Sequence, residues 1–211
     1  ECKVEAADED GAYYAKVTLD NLKRNAGGNQ LPNLVIEDWP DFGYRGFMLD
    51  ISRNFTTKDN ILKFIDLLAH YKVSVFHLHF GDDEGWRLEI EKFPELTSFG
   101  AYHAFPSKDE NGEYVETEGL IPSYNGGADP EDMTSSANGH LSKEDYVEIL
   151  KYAWERRIQV IPEFDTPGHS RASIKAMEAY AKRTGDNSYL LSDPDDKSKY
   201  LSVQYYRDNA I

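Results

Sequence analysis

Three short stretches of this chain combine residue types that do chemistry. In His77-Leu78-His79-Phe80-Gly81-Asp82-Asp83-Glu84-Gly85-Trp86-Arg87, an apolar run switches abruptly to histidines, acids and a Trp–Arg pair. A second stretch is Asp50 followed by Arg53, and a third is Glu163-Phe164-Asp165-Thr166-Pro167-Gly168-His169. Carboxylates, an arginine and histidines gathered in one place suit two kinds of reaction. One is metal-assisted hydrolysis, for which His77-x-His79 followed by Asp82 offers ligand atoms for a divalent ion. The other is carbohydrate cleavage, which uses carboxylates for acid–base work and charged forks to hold hydroxyls. Each residue alone also has a plain structural reading. A histidine on an apolar face is commonly a hydrogen-bonded core residue, and Arg53 beside Asp50 also reads as a surface ion pair.

Each stretch lies at the end of an apolar run of strand length. Strands are expected over residues 43–51, 73–80 and 158–164. In the second, alternation puts Val73, Val75, His77 and His79 on one face and Ser74, Phe76, Leu78 and Phe80 on the other. Helices separate the strands. Thr56-x-x-Asp59 has the spacing of a capping box ahead of a stripe of Ile61, Phe64, Ile65, Leu68 and Tyr71. Ser142-x-x-Asp145 stands the same way before Tyr146, Ile149, Leu150, Ala153 and Trp154. A third helix is expected over residues 170–182, and residues 98–140 read as a long, polar, glycine-rich insertion. Upstream, residues 12–22 read as a short helix and residues 31–37 as a strand or an extended linker.

Strands joined by helical crossovers imply a parallel sheet, whose strand C-terminal ends share one face. The three chemical stretches are therefore expected to converge. A full eight-unit barrel takes roughly 250 residues, and here residues 39–182 are spent on three β/α units. The expected fold class is α/β, a partial (β/α)8 TIM barrel over residues 39–211, with residues 1–38 a remnant and linker before it.

Composition narrows the partners. The chain has 211 residues with 13% aromatics, enough for one domain with a real core. A net charge of −15 argues against nucleic acid or an anionic membrane surface as partner. Cys2 is the only cysteine, so no internal disulfide, zinc finger or iron–sulfur spacing exists. No apolar run reaches the length of a membrane span. The chain opens without an initiator methionine or signal peptide, which reads as a trimmed piece. Asn54-Phe55-Thr56 matches a glycosylation sequon, a motif short enough to arise by chance.

Several segments, in order, resemble family 20 glycoside hydrolases, the β-N-acetylhexosaminidases. They are residues 44–55, Tyr71-Lys72, His77-Leu78-His79, residues 82–90, Phe93-Pro94-Glu95-Leu96-Thr97 and residues 161–169. The tail, Leu190-Leu191-Ser192-Asp193-Pro194 with Ser202-Val203-Gln204, is most similar to the bacterial chitobiase branch. Residues before Trp39 resemble the end of the small α/β domain that precedes the family's barrel. The resemblance implies removal of terminal N-acetylglucosamine from chitobiose or chito-oligosaccharides by a retaining, substrate-assisted mechanism. No metal or organic cofactor is implied, and the location would be extracytoplasmic.

By the same resemblance, Arg53 grips ring hydroxyls of the terminal sugar. Asp82 and His169 belong to a hydrogen-bonded chain ending on the catalytic acid. His79 and Asp83 support that chain from behind. Glu163 and Asp165 either position His169 or satisfy backbone groups at the strand end. Trp86 reads more readily as a packed structural residue than as a sugar platform, and Arg45 as structural. One departure matters: the family's catalytic pair is an adjacent Asp–Glu in a His-x-Gly-Gly-Asp-Glu context. Asp8-Glu9, Asp83-Glu84 and Asp109-Glu110 are adjacent pairs, but none follows Gly-Gly. The expectation is that the general acid lies outside these residues and that the 211-residue chain is inactive alone. It would then depend on the missing remainder of the barrel, or self-associate.

Overall fold

The structure, a computed structural model, describes residues 2–27, 31, 33–103, 107–108, 111, 114–115 and 131–190. In chain order the elements are α1 (Glu9–Asn25), β1 (Gly46–Asp50), α2 (Lys58–His70), β2 (Val75–Gly81) and α3 (Glu95–Ser98). There follow β3 (Ser107–Lys108), β4 (Tyr114–Val115), α4 (Lys143–Trp154), β5 (Gln159–Phe164) and α5 (Arg171–Thr184). Three strands form one sheet in the order β1-β2-β5, and β3 pairs with β4 in a separate antiparallel ladder.

The main sheet is parallel, as backbone bonds along it show. Ser74 and Val75 donate to the Arg45 carbonyl at one end, and Ile51 donates to His79 at the other. Gln159 donates to Ser74 and Asp165 to Gly81, so both neighbours of β2 advance in its direction. The central strand is buried on both faces. Val75, Phe76, Leu78, His79 and Phe80 are all at most 7% exposed. That is the expected state of a parallel strand between two neighbours.

The chain divides into two compact units. One comprises residues 1–48, 59–77 and 147–161. In it, Phe47, Phe64 and Phe76 form a run of ring contacts, and Ile61, Ile65, Leu68 and Ala69 bury one side of α2. Tyr71, expected on that stripe, lies past the helix end and is 69% exposed. The reason is local: Lys72 turns to a φ of 55° and breaks the helical register. On α4, Ile149 is buried, but Leu150 and Trp154 are 37% and 73% exposed, so the expected stripe is only partly covered. α1 runs longer than expected because the Asp8 side chain caps it, accepting from the Gly11 N–H at 2.7 Å. Among the described residues of 31–37 there is no strand, so this stretch is the extended linker of the two alternatives.

The other unit comprises residues 49–58, 78–146 and 162–211. Its apolar centre stacks Phe80 and Trp86 on Phe164, with Tyr146 edge-on to Phe80. The Trp86 indole N–H donates to the Leu88 carbonyl at 2.6 Å, so its ring is packed and its donor used. This is the structural role expected of it. Arg45, in the first unit, is likewise structural, donating to the Lys72 and Phe42 carbonyls.

The box before α4 is formed as its spacing predicts. The Asp145 N–H donates to Ser142 Oγ at 3.0 Å, and the Ser142 N–H donates to Asp145 Oδ2 at 3.1 Å. Two backbone donors that the helix leaves unsatisfied are thereby paired. Ser142→Ala should lower stability by about 1 kcal/mol, read as a shift in the denaturant midpoint with an unchanged slope.

Candidate active site

Asp50 organises the turn after β1. Its Oδ1 accepts from the N–H groups of Ser52 (2.9 Å) and Arg53 (3.1 Å), and its Oδ2 accepts from Arg53 Nη1 at 2.6 Å. One side chain thus fixes both the backbone and the guanidinium of Arg53. After β2 the chain doubles back. The Asp82 N–H donates to Gly85 (3.1 Å) and the Arg87 N–H to Phe80 (2.8 Å), closing a tight hairpin around residues 81–86. Asp82, Asp83 and Glu84 lie at its tip.

Asp82 is the centre of the cluster and is 2% exposed. Its Oδ2 accepts from His79 Nε2 at 2.9 Å and faces Arg53 Nη2 at 2.6 Å. Its Oδ1 accepts from the Asp83 N–H at 2.6 Å and lies 3.2 Å from His169 Nδ1. Burial by itself would raise the Asp82 pKa. The hydrogen bonds from His79 and Asp83 and the charges of Arg53 and His169 outweigh it and hold the carboxyl below its usual range. The hydrogen bond to Asp82 raises His79 against the opposing effect of burial, and Glu163, whose Oε2 is 3.1 Å from His79 Nδ1, adds to the rise. Glu84 behaves oppositely. Burial raises its pKa, although its Oε2 lies 3.3 Å from Arg53 Nε.

The residues expected to converge do so. Arg53, His79, Asp82, Asp83, Glu163 and His169 are joined by direct contacts. Asp165 has its side chain within 4.8 Å of ligand atoms of His79 and Asp82. Two details differ from the sequence reading. Glu163 sits on His79 rather than on His169. Glu84, given no role in sequence, is a third carboxylate on Arg53, after Asp50 and Asp82. Its signal was available only in hindsight: the glycine after it permits a hairpin tight enough to turn both Asp82 and Glu84 toward one cation. Asp83 holds the next helix, its Oδ1 accepting from the Arg171 N–H at 3.0 Å.

The metal reading fares less well. Two groups of side chains could in principle hold an ion: His79 with Asp82 and Asp165, and Asp82 with Asp83 and His169. His77, half of the expected His-x-His pair, belongs to neither group among the described residues. Both groups include Asp82, whose Oδ2 already faces the Arg53 guanidinium. A fixed cation on the shared ligand supplies the charge that an ion would bring.

Behind the cluster lies Arg87, which is fully buried. Its Nε and Nη2 donate to Ser52 O at 3.1 and 2.7 Å. Its Nη1 donates to Ala101 O (2.6 Å) and Gly139 O (3.1 Å), and Nη2 also to Ala137 O (3.2 Å). Burial pulls its pKa down to about 9, which still leaves it charged at neutral pH. Glycine is required on both sides of this cage. A Cβ on Gly85 would stand 2.4 Å from Arg87 Cζ, and Gly139 has a φ of +122° with the Phe55 ring 2.5 Å from where a Cβ would be.

The comparisons with known proteins agree with one another. Residues 42–210 match the sequence profile described as glycosyl hydrolase family 20, catalytic domain. The chain is 43% identical over 215 residues to the N,N'-diacetylchitobiase of Vibrio harveyi, covering 99% of this chain and 23% of that protein. It is 40% identical to a β-hexosaminidase of Vibrio vulnificus, covering 99% of this chain and 24% of that one. The chain thus spans about a quarter of the length of these curated relatives. The crystal structure of a β-N-acetylhexosaminidase from Bacteroides fragilis superposes with a TM-score of 0.64 at 32% identity, covering 83% of this chain and 31% of that one. A Vibrio harveyi exo-β-N-acetylglucosaminidase in complex with N-acetylglucosamine superposes at 0.53 and 33% identity, over 79% and 22% of the two chains.

The cage and its surroundings make two predictions. Arg87→Lys keeps a charge but cannot reach the same carbonyls, and should cost about 3 kcal/mol in denaturant unfolding. His103 is 6% exposed, and burial, reinforced by the Arg87 charge, pushes its pKa down to about 4. The unfolded chain binds that proton near the ordinary value of about 6.5. Stability contributed by neutral His103 is therefore fully present above that pH and lost as pH falls toward 4. The loss should reach at most ~3 kcal/mol. Unfolding midpoints at pH 7 and pH 4.5 should differ less in His103→Leu than in the wild type.

Proposed function

This chain belongs to glycosyl hydrolase family 20, and from that premise we propose that it supplies the sugar-gripping and acid-supporting part of a β-N-acetylhexosaminidase site. The substrate is a chain ending in N-acetylglucosamine, such as chitobiose or a chito-oligosaccharide. β1, β2 and β5 are read as the first three strands of an eight-stranded barrel, with the cluster at their C-terminal ends.

The observation that carries this reading is the Arg53–Asp82–His169 network. Arg53 is held by Asp50 and Asp82 through its two terminal nitrogens, at 2.6 Å in both cases, and these nitrogens also lie 3.5 Å from His79 Nε2 and His169 Nδ1. The side chain remains 29% exposed. A planar fork of this kind suits two neighbouring hydroxyls, which a point charge would not. His169 presents Nδ1 to Asp82, and its side chain is 58% exposed, so Nε2 is the edge available to another group. An ionised Asp82 fixes the ring and favours a proton on Nδ1. Through Nε2 the imidazole then meets the family's catalytic acid and tunes its proton affinity.

In the substrate-assisted route no enzyme carboxylate attacks the sugar. The acetamido oxygen of the substrate attacks the anomeric carbon while the acid protonates the leaving oxygen, and water then opens the resulting oxazolinium ring with retention. The Asp–Glu pair that this requires, in its Gly-Gly context, is not among these 211 residues. The residues here grip, orient and tune.

Kinetics of the intact protein test the reading. The 211-residue chain alone should not release chromophore from an N-acetylglucosaminide above background. In the intact protein, Arg53→Lys should lower kcat/KM by a factor on the order of 10². Asp82→Asn and His169→Ala should each shift the acidic-group limb of the pH–rate profile. The double variant should lose less than the sum, because the pair acts as a unit. Additive losses with an unshifted profile would remove Asp82 and His169 from the proposed chain.

A further inference from the structure

We propose that Asp83 is a positioning residue that caps α5 from outside the helix and thereby holds His169 against Asp82; this rests on the reading of His169 given above. The first turn of α5 lacks the usual local cap. Ser170 stands at the N-cap position, yet its side chain makes no capping bond. Its Oγ is engaged instead with the carbonyls of Asp165 (2.9 Å) and Gly168 (3.0 Å), bracing the turn that precedes the helix. The helix still has N–H groups pointing out of its start. One of them, the Arg171 N–H, donates to Asp83 Oδ1 at 3.0 Å, a residue 88 positions earlier in the chain. A carboxylate in that place also meets the positive end of the helix dipole.

The neighbourhood gives this contact a purpose beyond stability. His169 lies two residues before the capped N–H and has a φ of 53°, a left-handed conformation that a non-glycine residue adopts only when its surroundings hold it there. Its side chain is 58% exposed, so packing alone does not fix it. Two consecutive acids hold it from two sides. Asp82 contacts the imidazole through Oδ1, and Asp83 anchors the backbone just beyond. Asp82 and Asp83 are themselves locked together, the Asp83 N–H donating to Asp82 Oδ1 at 2.6 Å. Asp83 Oδ2 is 3.9 Å from His169 Nδ1, too far for a hydrogen bond, so the action of Asp83 on the ring runs through the backbone. Losing the anchor releases the turn, and the imidazole leaves its position over Asp82.

The test separates this role from plain stability and from the functional reading. In the intact protein, Asp83→Ala should speed amide exchange in the first turn of α5 by on the order of fivefold, with no comparable change in α2. It should lower kcat by roughly 10- to 100-fold with little change in KM, since a small displacement of a positioned group is enough. The acidic-group limb of its pH–rate profile should shift in the same sense as in His169→Ala. Asp83→Asn keeps an oxygen to accept from Arg171 and should retain most of kcat and the slow exchange. Should Asp83→Ala fail to fold, Asp83→Ser, polar but too short to reach Arg171, takes its place in both measurements. Unchanged exchange in α5 overturns the cap, whatever the activity. Faster exchange with an unshifted pH profile overturns the link to His169. Loss of both kcat and slow exchange in Asp83→Asn would mean that charge, not acceptance of the hydrogen bond, is what matters, and also overturns the proposal. If the intact wild type hydrolyses no N-acetylglucosaminide, the functional reading falls, while the exchange measurement still decides the cap.

Discussion

A buried guanidinium that, among the described residues, donates to carbonyls alone is the constraint on which the site depends. Arg87 gives its N–H groups to four carbonyls, those of Ser52, Ala101, Ala137 and Gly139, which come from three separate segments. Desolvating a cation is costly, and here the cost is offset by directed carbonyl dipoles, with the charges of Asp50 and Glu84 adding to them. Removing the side chain would leave those carbonyls without their donor in a dry interior, so the segments cannot drift independently. Ser52 also donates its Oγ to the Gly85 carbonyl at 2.6 Å, tying the turn after β1 to the hairpin after β2. Arg53 is the next residue. The geometry of the exposed arginine is inherited from the buried one.

The candidate site has an excess of acid. Asp50, Asp82, Asp83, Glu84, Glu163 and Asp165 face Arg53, His79 and His169. Such crowding would ordinarily drive some carboxylates to take up protons. The structure distributes the burden unevenly: Asp82, saturated with donors, is held ionised, while burial raises the proton affinity of Glu84. Asp82 and Glu163 raise the proton affinity of His79 against the opposing effect of burial. The result is a firmly held anion at Asp82, at the centre of the cluster.

Much of this was legible in sequence. The three strands, their parallel sense and the convergence of Arg53, Asp82 and His169 followed from apolar runs that end in polar residues, because a buried strand cannot carry such residues without a use for them. The box at Ser142 and Asp145 was readable because it depends on four consecutive residues. What escaped depends on distance. Tyr71, Leu150 and Trp154 matched helical spacing but are largely exposed, since periodicity says which side of a helix is apolar and not whether a neighbour covers it. Glu163 was left open between His169 and the strand-end backbone, and its contact with His79 was not foreseen, because strand alternation gives a face and not a partner. The cage of Arg87 was invisible, as its acceptors are backbone atoms that any residue type supplies. Glu84 was overlooked for a similar reason: its proximity to Arg53 arises from a reverse turn whose tightness is set by the next residue, Gly85.

The cage also has a topological effect. Ala101 and Ala137 both give carbonyls to Arg87, the Gly139 N–H returns to Ala101 at 3.1 Å, and Tyr102 bridges to Asn138. These contacts hold residues 101–102 beside residues 137–139, through the Arg87 side chain and through backbone bonds. Closing a loop whose ends are already fixed depends only weakly on its length, about 0.6 kcal/mol for each doubling. The chain between residues 103 and 131 can therefore change in length at little cost to the pairing of its ends. The paired ends make this a natural port for grafting, where a new segment can be inserted while the bonds of Ser52 and Arg53 are kept.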